Sequence, residues 1–309
     1  VAKAPETPIA APTGDAVLIV NAKARNGEEW FQRAKEGLQA RGVTVVAAHD
    51  VQEPAQLQDL VRNALKQGAR RLIVGGGDGT FRSIAGLLIR KEVTLGVLPL
   101  GTVNDLARNL GIAPDVETAC DVIAAGHVEQ IDVGQANDDF FLITASLGFS
   151  AQSQLALKPE LKKRFGPFGY LVASAMALRG LRPTRIELSA KGRSETLSVL
   201  QAGVVNGHSW MGGAFEIPGL DLEKGSLAFY ALPAQPLLSC LRIAGCLKRG
   251  EFFHTPGLRA FMTDGVTIKT RKPHPLVLDG DLVGHTPARL SILPSALRVF
   301  APASSPTLG

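Results

Sequence analysis

Cysteine is scarce in this 309-residue chain: the three present, Cys120, Cys240 and Cys246, fall at no metal-binding spacing and cannot all pair. A disulfide-stapled scaffold is excluded, and the thiols read as small apolar residues or as those of a reducing compartment. No apolar run approaches the roughly 20 residues of a membrane-spanning helix. The longest candidates, residues 171–181 and 236–247, are interrupted by Arg and Ser. The expectation is a soluble or peripheral protein, cytoplasmic in setting. Strong charge imbalance is missing too: 33 Lys and Arg against 28 Asp and Glu leave +5, and the pI is near 9.2. Such a balance suits visits to an anionic surface and does not call for nucleic acid. The GK[ST] ending of a P-loop, the GxGxxG spacing and the GxSxG elbow are all wanting. The six histidines are scattered and form no metal or nucleophile pair.

With 45% hydrophobic and 20% charged residues, the chain can bury a large core, and its length favours two domains. Residues 1–14 hold three prolines but no apolar signal core and read as a flexible lead-in; because the chain begins at Val, an upstream piece stays open. Strand and helix signatures then alternate: strands at 17–20, 43–47, 71–74 and 95–98, helices at 28–41, from Pro54, and at 81–90. That rhythm predicts a parallel sheet covered by helices over 15–134, with ligands beyond the carboxyl ends of the strands. Past Gly134 the runs are rich in β-formers, at 140–145, 197–205, 226–232, 266–270, 276–278 and 289–293, interrupted by helices at 168–179 and 236–249. This predicts a second, mainly antiparallel domain over 135–309.

The strongest local signal is Gly75-Gly76-Gly77-Asp78-Gly79-Thr80, between an apolar strand and a helix. Glycines there let backbone approach a ligand, and N–H groups at the following helix start favour a phosphate; a tight turn is the bland alternative. A second loop, Pro99 to Asp105 with Gly101, Thr102, Asn104 and Asp105, follows the next strand, and alone it could be a turn with a helix cap. Asn21, Lys23 and Arg25 close the first strand and could reach the same crevice with an amide and two cations. Late in the chain, Asp279-Gly280-Asp281 after a strand reads on its own as a hairpin turn. Between Lys158 and Arg193 lie nine Lys or Arg against two Glu, either a solvated face or a docking surface for anionic lipid.

The GGGDGT run at 75–80, PLGTVNDLAR at 99–108 and VNAKARNG at 20–27 together resemble the diacylglycerol kinase catalytic-domain superfamily, which includes bacterial lipid kinases and sphingosine kinases. Arg164 to Tyr170, Val205-Asn206-Gly207 and Gly212-Gly213 agree with it. GGDGT alone is shared with NAD kinases of related fold; the GTVND loop favours the lipid kinases. The resemblance implies an NAD kinase-like α/β domain followed by a lipid-binding β-rich domain, and transfer of the γ-phosphoryl of ATP to a lipid hydroxyl. It assigns nucleotide binding to Asn21, Lys23, Gly75 through Thr80, Gly101, Thr102, Asn104 and Asp105, with Asp78 at the Mg²⁺-nucleotide centre. It makes Asp281 the proton acceptor, where the family carries Glu, one methylene longer. Ser150 stands where relatives usually carry Asp or another polar residue, and His49-Asp50 where a nucleotide-contacting Thr is usual. Lys224 replaces an aspartate that in bacterial relatives holds a structural Mg²⁺, so no such metal is expected beside Asp221. Expected partners are a lipid substrate, an anionic membrane surface met peripherally, and a second copy of the chain. The competing expectations are an NAD kinase relative and a binding module without catalysis.

Overall fold

The computed structural model describes residues 14–21, 27–156 and 182–303. Lys23, Arg25, the 164–170 motif, the 168–179 helix, most of the 158–193 basic stretch and all but the end of the lead-in lie outside the described residues. The chain divides into two units, Val1–Ile131 with Ser295–Gly309, and Asp132–Pro294.

The first unit opens with β1 (Ala16–Asn21), α1 (Gly27–Ala40), β2 (Val45–Val51), α2 (Pro54–Lys66), β3 (Arg71–Gly76), α3 (Asp78–Leu88) and β4 (Thr94–Pro99), then short α4 (Asp105–Asn109) and α5 (Val116–Ala125). Its strands pair parallel in the order β2-β1-β3-β4. β1, β3 and β4 are buried along nearly their whole length, which is why they read as unbroken apolar runs and not as alternations. The chain first moves outward from β1 to β2, then crosses back over β1 to β3. Right-handed crossovers in opposite directions put α1 and α2 on opposite faces. α1 packs with α5, and α2 with α3. Arg41, just past α1, clasps α5 by hydrogen bonds to Asp121 (2.6 Å) and Glu117 (3.1 Å). The small residues Gly37 and buried Cys120 sit where those helices meet, so Cys120 is a core thiol.

In the second unit the described strands are β5 (Val128–Ala136, entering from the first unit), β6 (Asp139–Phe141), β7 (Thr144–Gly148), β8 (Thr184–Ala190), β9 (Arg193–Val205), β10 (Ser209–Trp210), β11 (Phe215–Glu216), β12 (Leu227–Pro233), β13 (Arg259–Thr263), β14 (Gly265–Thr270), β15 (Pro275–Leu278), β16 (Asp281–His285) and β17 (Ala288–Phe300). Among the described residues the α-helices that join them are α6 (Phe149–Ala156) and α7 (Leu237–Lys248). Pairing within the unit is antiparallel, in the order β16-β15-β7-β9-β8-β14-β17, with β12 bridging β9 to β13. Phe141, Leu147, Ile186, Leu188, Val204, Phe229, Ile268, Leu278 and Leu290 pack together as its core. This is the α/β domain plus mainly antiparallel β domain expected.

Three of the departures from the sequence expectation have a clear physical reason. The single run expected at 140–145 is two strands, because the N–H groups of Leu142, Ile143 and Thr144 all turn to the Asp279 carboxylate. The last strand does not stop at 293: past Pro294 and left-handed Ser295 (φ 49°) it continues to Phe300. There Arg298 and Val299 pair parallel with Thr94 and Leu95 of β4, so the end of β17 groups with the first unit. β8 was hidden because Arg185, Glu187 and Ser189 alternate with its apolar residues, and β13 because its five residues, RAFMT, are too short a run to show a period.

Candidate functional site

In the first unit the strand order reverses between β1 and β3, and the crevice beyond the carboxyl ends of such a pair is where open α/β sheets hold ligands. The residues at those ends are Asn21 and Gly75-Gly76. Asn21 donates from Nδ2 to the Thr80 hydroxyl across this point, at 3.2 Å. Gly77, extended at φ −96° and ψ −179°, leads into α3 without any side-chain cap. The Gly77 carbonyl accepts from the N–H of Thr80 (2.9 Å) and of Phe81 (3.3 Å), which closes the first turn.

The second loop is fastened to the first. Leu100 donates its N–H to the Gly76 carbonyl at 2.9 Å. Asn104, buried and left-handed at φ 54°, accepts from the Gly101 N–H at 2.8 Å and donates back to the Gly101 carbonyl at 2.9 Å. Asp78, the first residue of α3, accepts through Oδ1 from the Leu106 N–H at the start of α4, at 3.0 Å. One carboxylate thus ties the two loops, and among the described residues its second oxygen accepts no hydrogen bond.

The glycines carry a packing role that the sequence reading gave to a ligand alone. A Cβ at Gly76 would lie 2.5 Å from Thr80, one at Gly75 2.9 Å from Leu100, and one at Gly101 2.6 Å from the Gly77 Cα. The two loops touch backbone to backbone, and only glycine permits it. Of the residues proposed from sequence, Asn21, Gly75, Gly76, Gly77, Asp78, Gly79, Thr80, Gly101, Thr102, Asn104 and Asp105 are gathered here. Thr102 is exposed at the rim, and Asn104 is buried in a turn-holding role.

Asp281 belongs to the second unit. Leu278 and Asp281 pair across a two-residue turn in which Asp279 (φ 45°) and Gly280 (φ 89°) are both left-handed, the geometry that right-twisted hairpins favour. The hairpin reading of this segment therefore holds for its first two residues. Asp279 is built in: its carboxylate accepts from Leu142 (2.6 Å), Ile143 (2.9 Å) and Thr144 (2.8 Å), and its N–H donates to the Thr144 carbonyl (2.9 Å). Asp281 stands exposed at the start of β16, with α6 packed against the same strand.

Beside this hairpin runs a polar chain that sequence reading passed over. Ser146 and Ser150 share a hydroxyl bond of 2.9 Å. Gln201 accepts from the Ser150 N–H (3.0 Å) and donates to both the Ser150 hydroxyl (3.1 Å) and the Tyr230 hydroxyl (3.2 Å). Gln201 lies mid-strand among apolar neighbours and offered no spacing signal; Ser150 was noticed only as a departure. Asn206, wholly buried, donates to the carbonyls of Asp132 (3.0 Å) and Leu142 (2.8 Å) and so knits β5 to the turn that Asp279 holds. Lys224 lies 3.6 Å from the Asp221 carboxylate as an ion pair. His49 and Asp50 are exposed near the end of β2.

The sequence matches the diacylglycerol kinase catalytic domain over residues 15–136, and the YegS C-terminal NAD kinase beta sandwich-like domain over 144–301. It is 34% identical to a Pseudomonas fluorescens protein named "Probable lipid kinase YegS-like" over 95% of this chain and 97% of the relative. An Enterobacter sp. protein of the same name is 29% identical, over 95% and 98%. Among solved structures, a "putative diacylglycerol kinase" of Bacillus anthracis superposes with a TM-score of 0.78 at 21% identity, over 96% of each chain; this likeness speaks to the fold.

Proposed function

Because the chain belongs to the diacylglycerol kinase family, with a YegS-type β-sandwich domain after the catalytic one, we propose that it is a lipid kinase that moves the γ-phosphoryl group of ATP onto a lipid hydroxyl. The observation that carries this reading is the pair of interlocked glycine loops at the β1/β3 switch point, where the uncapped start of α3 presents N–H groups and a positive dipole end to an anion. Phosphoryl transfer asks little covalent chemistry of a protein and much positioning, and a tightly packed backbone cradle supplies that.

The donor set at Asp78 fits a hard divalent cation: one carboxylate oxygen is engaged by Leu106, and the other is available to Mg²⁺ or its water. Asp78, with Asp105 near it in the second loop, would hold the ion, which when bound neutralises phosphate charge. Asn21 orients Thr80 at the rim. In this reading Asp281 accepts the proton of the lipid hydroxyl as the new O–P bond forms and the bond to the ADP oxygen breaks, then releases it to water. Asp281 is exposed at the start of β16. The acceptor is a membrane lipid with a free alcohol, of the diacylglycerol, sphingoid, ceramide or phosphatidylglycerol kind, and the protein works peripherally at an anionic bilayer. No helix among the described residues is long and apolar enough to cross a membrane.

The test is transfer of labelled phosphate from ATP to a mixed lipid extract, with the product identified by mass. Asp281→Asn is expected to lower turnover roughly 10²-fold or more while the melting temperature is unchanged. Asp78→Asn keeps the acceptor for Leu106 and removes the charge, so it separates metal binding from loop packing. Full activity in either variant removes that residue's role. ATP binding with no transfer to any lipid would favour a binding module, and transfer to NAD an NAD kinase.

A further inference from the structure

Helix α7, in the second unit between β12 and β13, is held by one face and leaves an unusual surface on the other. Its inner side carries buried Ile243, and the helix packs on β11. At 100° per residue, Leu238, Leu241, Arg242, Gly245, Lys248 and Arg249 share an outward arc of about 120°. Leu238 is 66% exposed and Leu241 61%, the two most exposed large apolar side chains among the described residues. Leaving two leucines in water on one helical turn has no packing reason, since nothing among the described residues covers them.

The charge on this arc has one sign. Arg242, Lys248 and Arg249 flank the leucines, and the helix sequence LLSCLRIAGCLK contains no acidic residue. The nearest carboxylate in sequence, Glu251, lies beyond the helix and pairs with Arg249 at 2.7 and 3.1 Å, which leaves Arg242 and Lys248 as the cations of the arc with no acidic partner among the described residues. Apolar side chains rimmed by cations on a helix parallel to a surface are the signature of interfacial insertion into an anionic bilayer.

We propose that the outward face of α7 docks the protein on an anionic membrane, with Leu238 and Leu241 entering the headgroup boundary and Arg242 and Lys248 contacting lipid phosphates. This deepens the lipid-kinase reading, and is tested apart from it. The probe is sedimentation with vesicles of phosphatidylcholine alone or with 30 mol% phosphatidylglycerol, the latter expected to bind the protein in a salt-sensitive way. Leu238→Asp with Leu241→Asp is expected to weaken that binding by about tenfold or more. Arg242→Glu with Lys248→Glu, which spares the apolar contact should the first pair misfold, is expected to weaken it and flatten its salt dependence. Phosphorylation of a lipid dispersed in detergent micelles should stay at the wild-type rate in both variants, because no bilayer need be reached. Wild-type protein that ignores anionic vesicles, or variants that bind them undiminished, overturns the proposal. So does a shift from dimer to monomer in the leucine variant with vesicle binding intact, which would make the face a contact between copies. Inactivity in micelles with vesicle binding as expected would refute the kinase reading and leave the docking face standing.

Discussion

Gly101 in the first unit and Gly280 in the second are both motif glycines, yet they are glycine for different physical reasons. A Cβ at Gly101 would lie 2.6 Å from the Gly77 Cα, whereas at Gly280 the nearest neighbour is the end of Gln154 at 4.0 Å. Gly280 has room but a φ of 89°, which L side chains rarely adopt; Gly101 is not among the left-handed glycines and has no room. The aspartates differ in the same manner. Asp78 accepts one backbone N–H and joins two loops, while Asp279 accepts three and holds a turn. A motif read as chemistry is thus also, residue by residue, a solution to close packing in one unit and to chain reversal in the other.

The sharpest way to break this comparison is at Asp279. Asp279→Ala leaves three N–H groups without their acceptor and is expected to cost about 3 kcal/mol or more, seen as a fall in the urea midpoint. Asp281→Ala, two residues on and exposed, should change stability by less than about 0.5 kcal/mol. Equal losses would show that Asp279 does not hold the turn. Next in size is Gly101→Ala, where overpacking against backbone is expected to cost about 2 kcal/mol. Gly280→Ala, strained only in its dihedral, should cost about 1 kcal/mol. Asn refines the contrast, because it tolerates left-handed backbone: Gly280→Asn should be milder than Gly280→Ala, and Gly101→Asn worse than Gly101→Ala. The reverse order in a thermal-melt series would refute the distinction between space and dihedral.

The smallest expected effect concerns a residue with no motif at all. Burial pushes the Cys120 thiol up to about 11, so it stays neutral in the folded protein well above the ordinary thiol range. The stability it adds is complete below that range and fades as pH climbs toward 11, because the unfolded thiol ionises first. Alkylation at pH 8 with mass mapping should modify Cys240 and Cys246 and spare Cys120 until the protein unfolds. Rapid labelling of Cys120 in the native state would mean that α1 and α5 part more readily than their contact suggests.

Much of the architecture was legible because β1, β3 and β4 are buried on both faces and the helices of the first unit are amphipathic, so that these elements announce themselves within a few residues. The glycine loops were legible for the same local reason: strand, glycines and helix follow one another without interruption. Asp279 was seen as a turn, and its grip on residues 142–144 could not be, since the partners lie 135 to 137 positions away. Gln201 and Tyr230 were silent because a single polar residue in a strand has no periodicity to betray it.

What the sequence determined by itself was the alternation of elements, the position of the two glycine loops and the family, all properties of short segments or of their order. Tertiary structure alone decided that the last strand returns to β4, that Gly77 and Gly101 share one space, that Asp78 caps α4, and that two leucines of α7 face water. Each of these depends on which distant residue fills a given volume, and chain connectivity does not encode that until the core has closed around it.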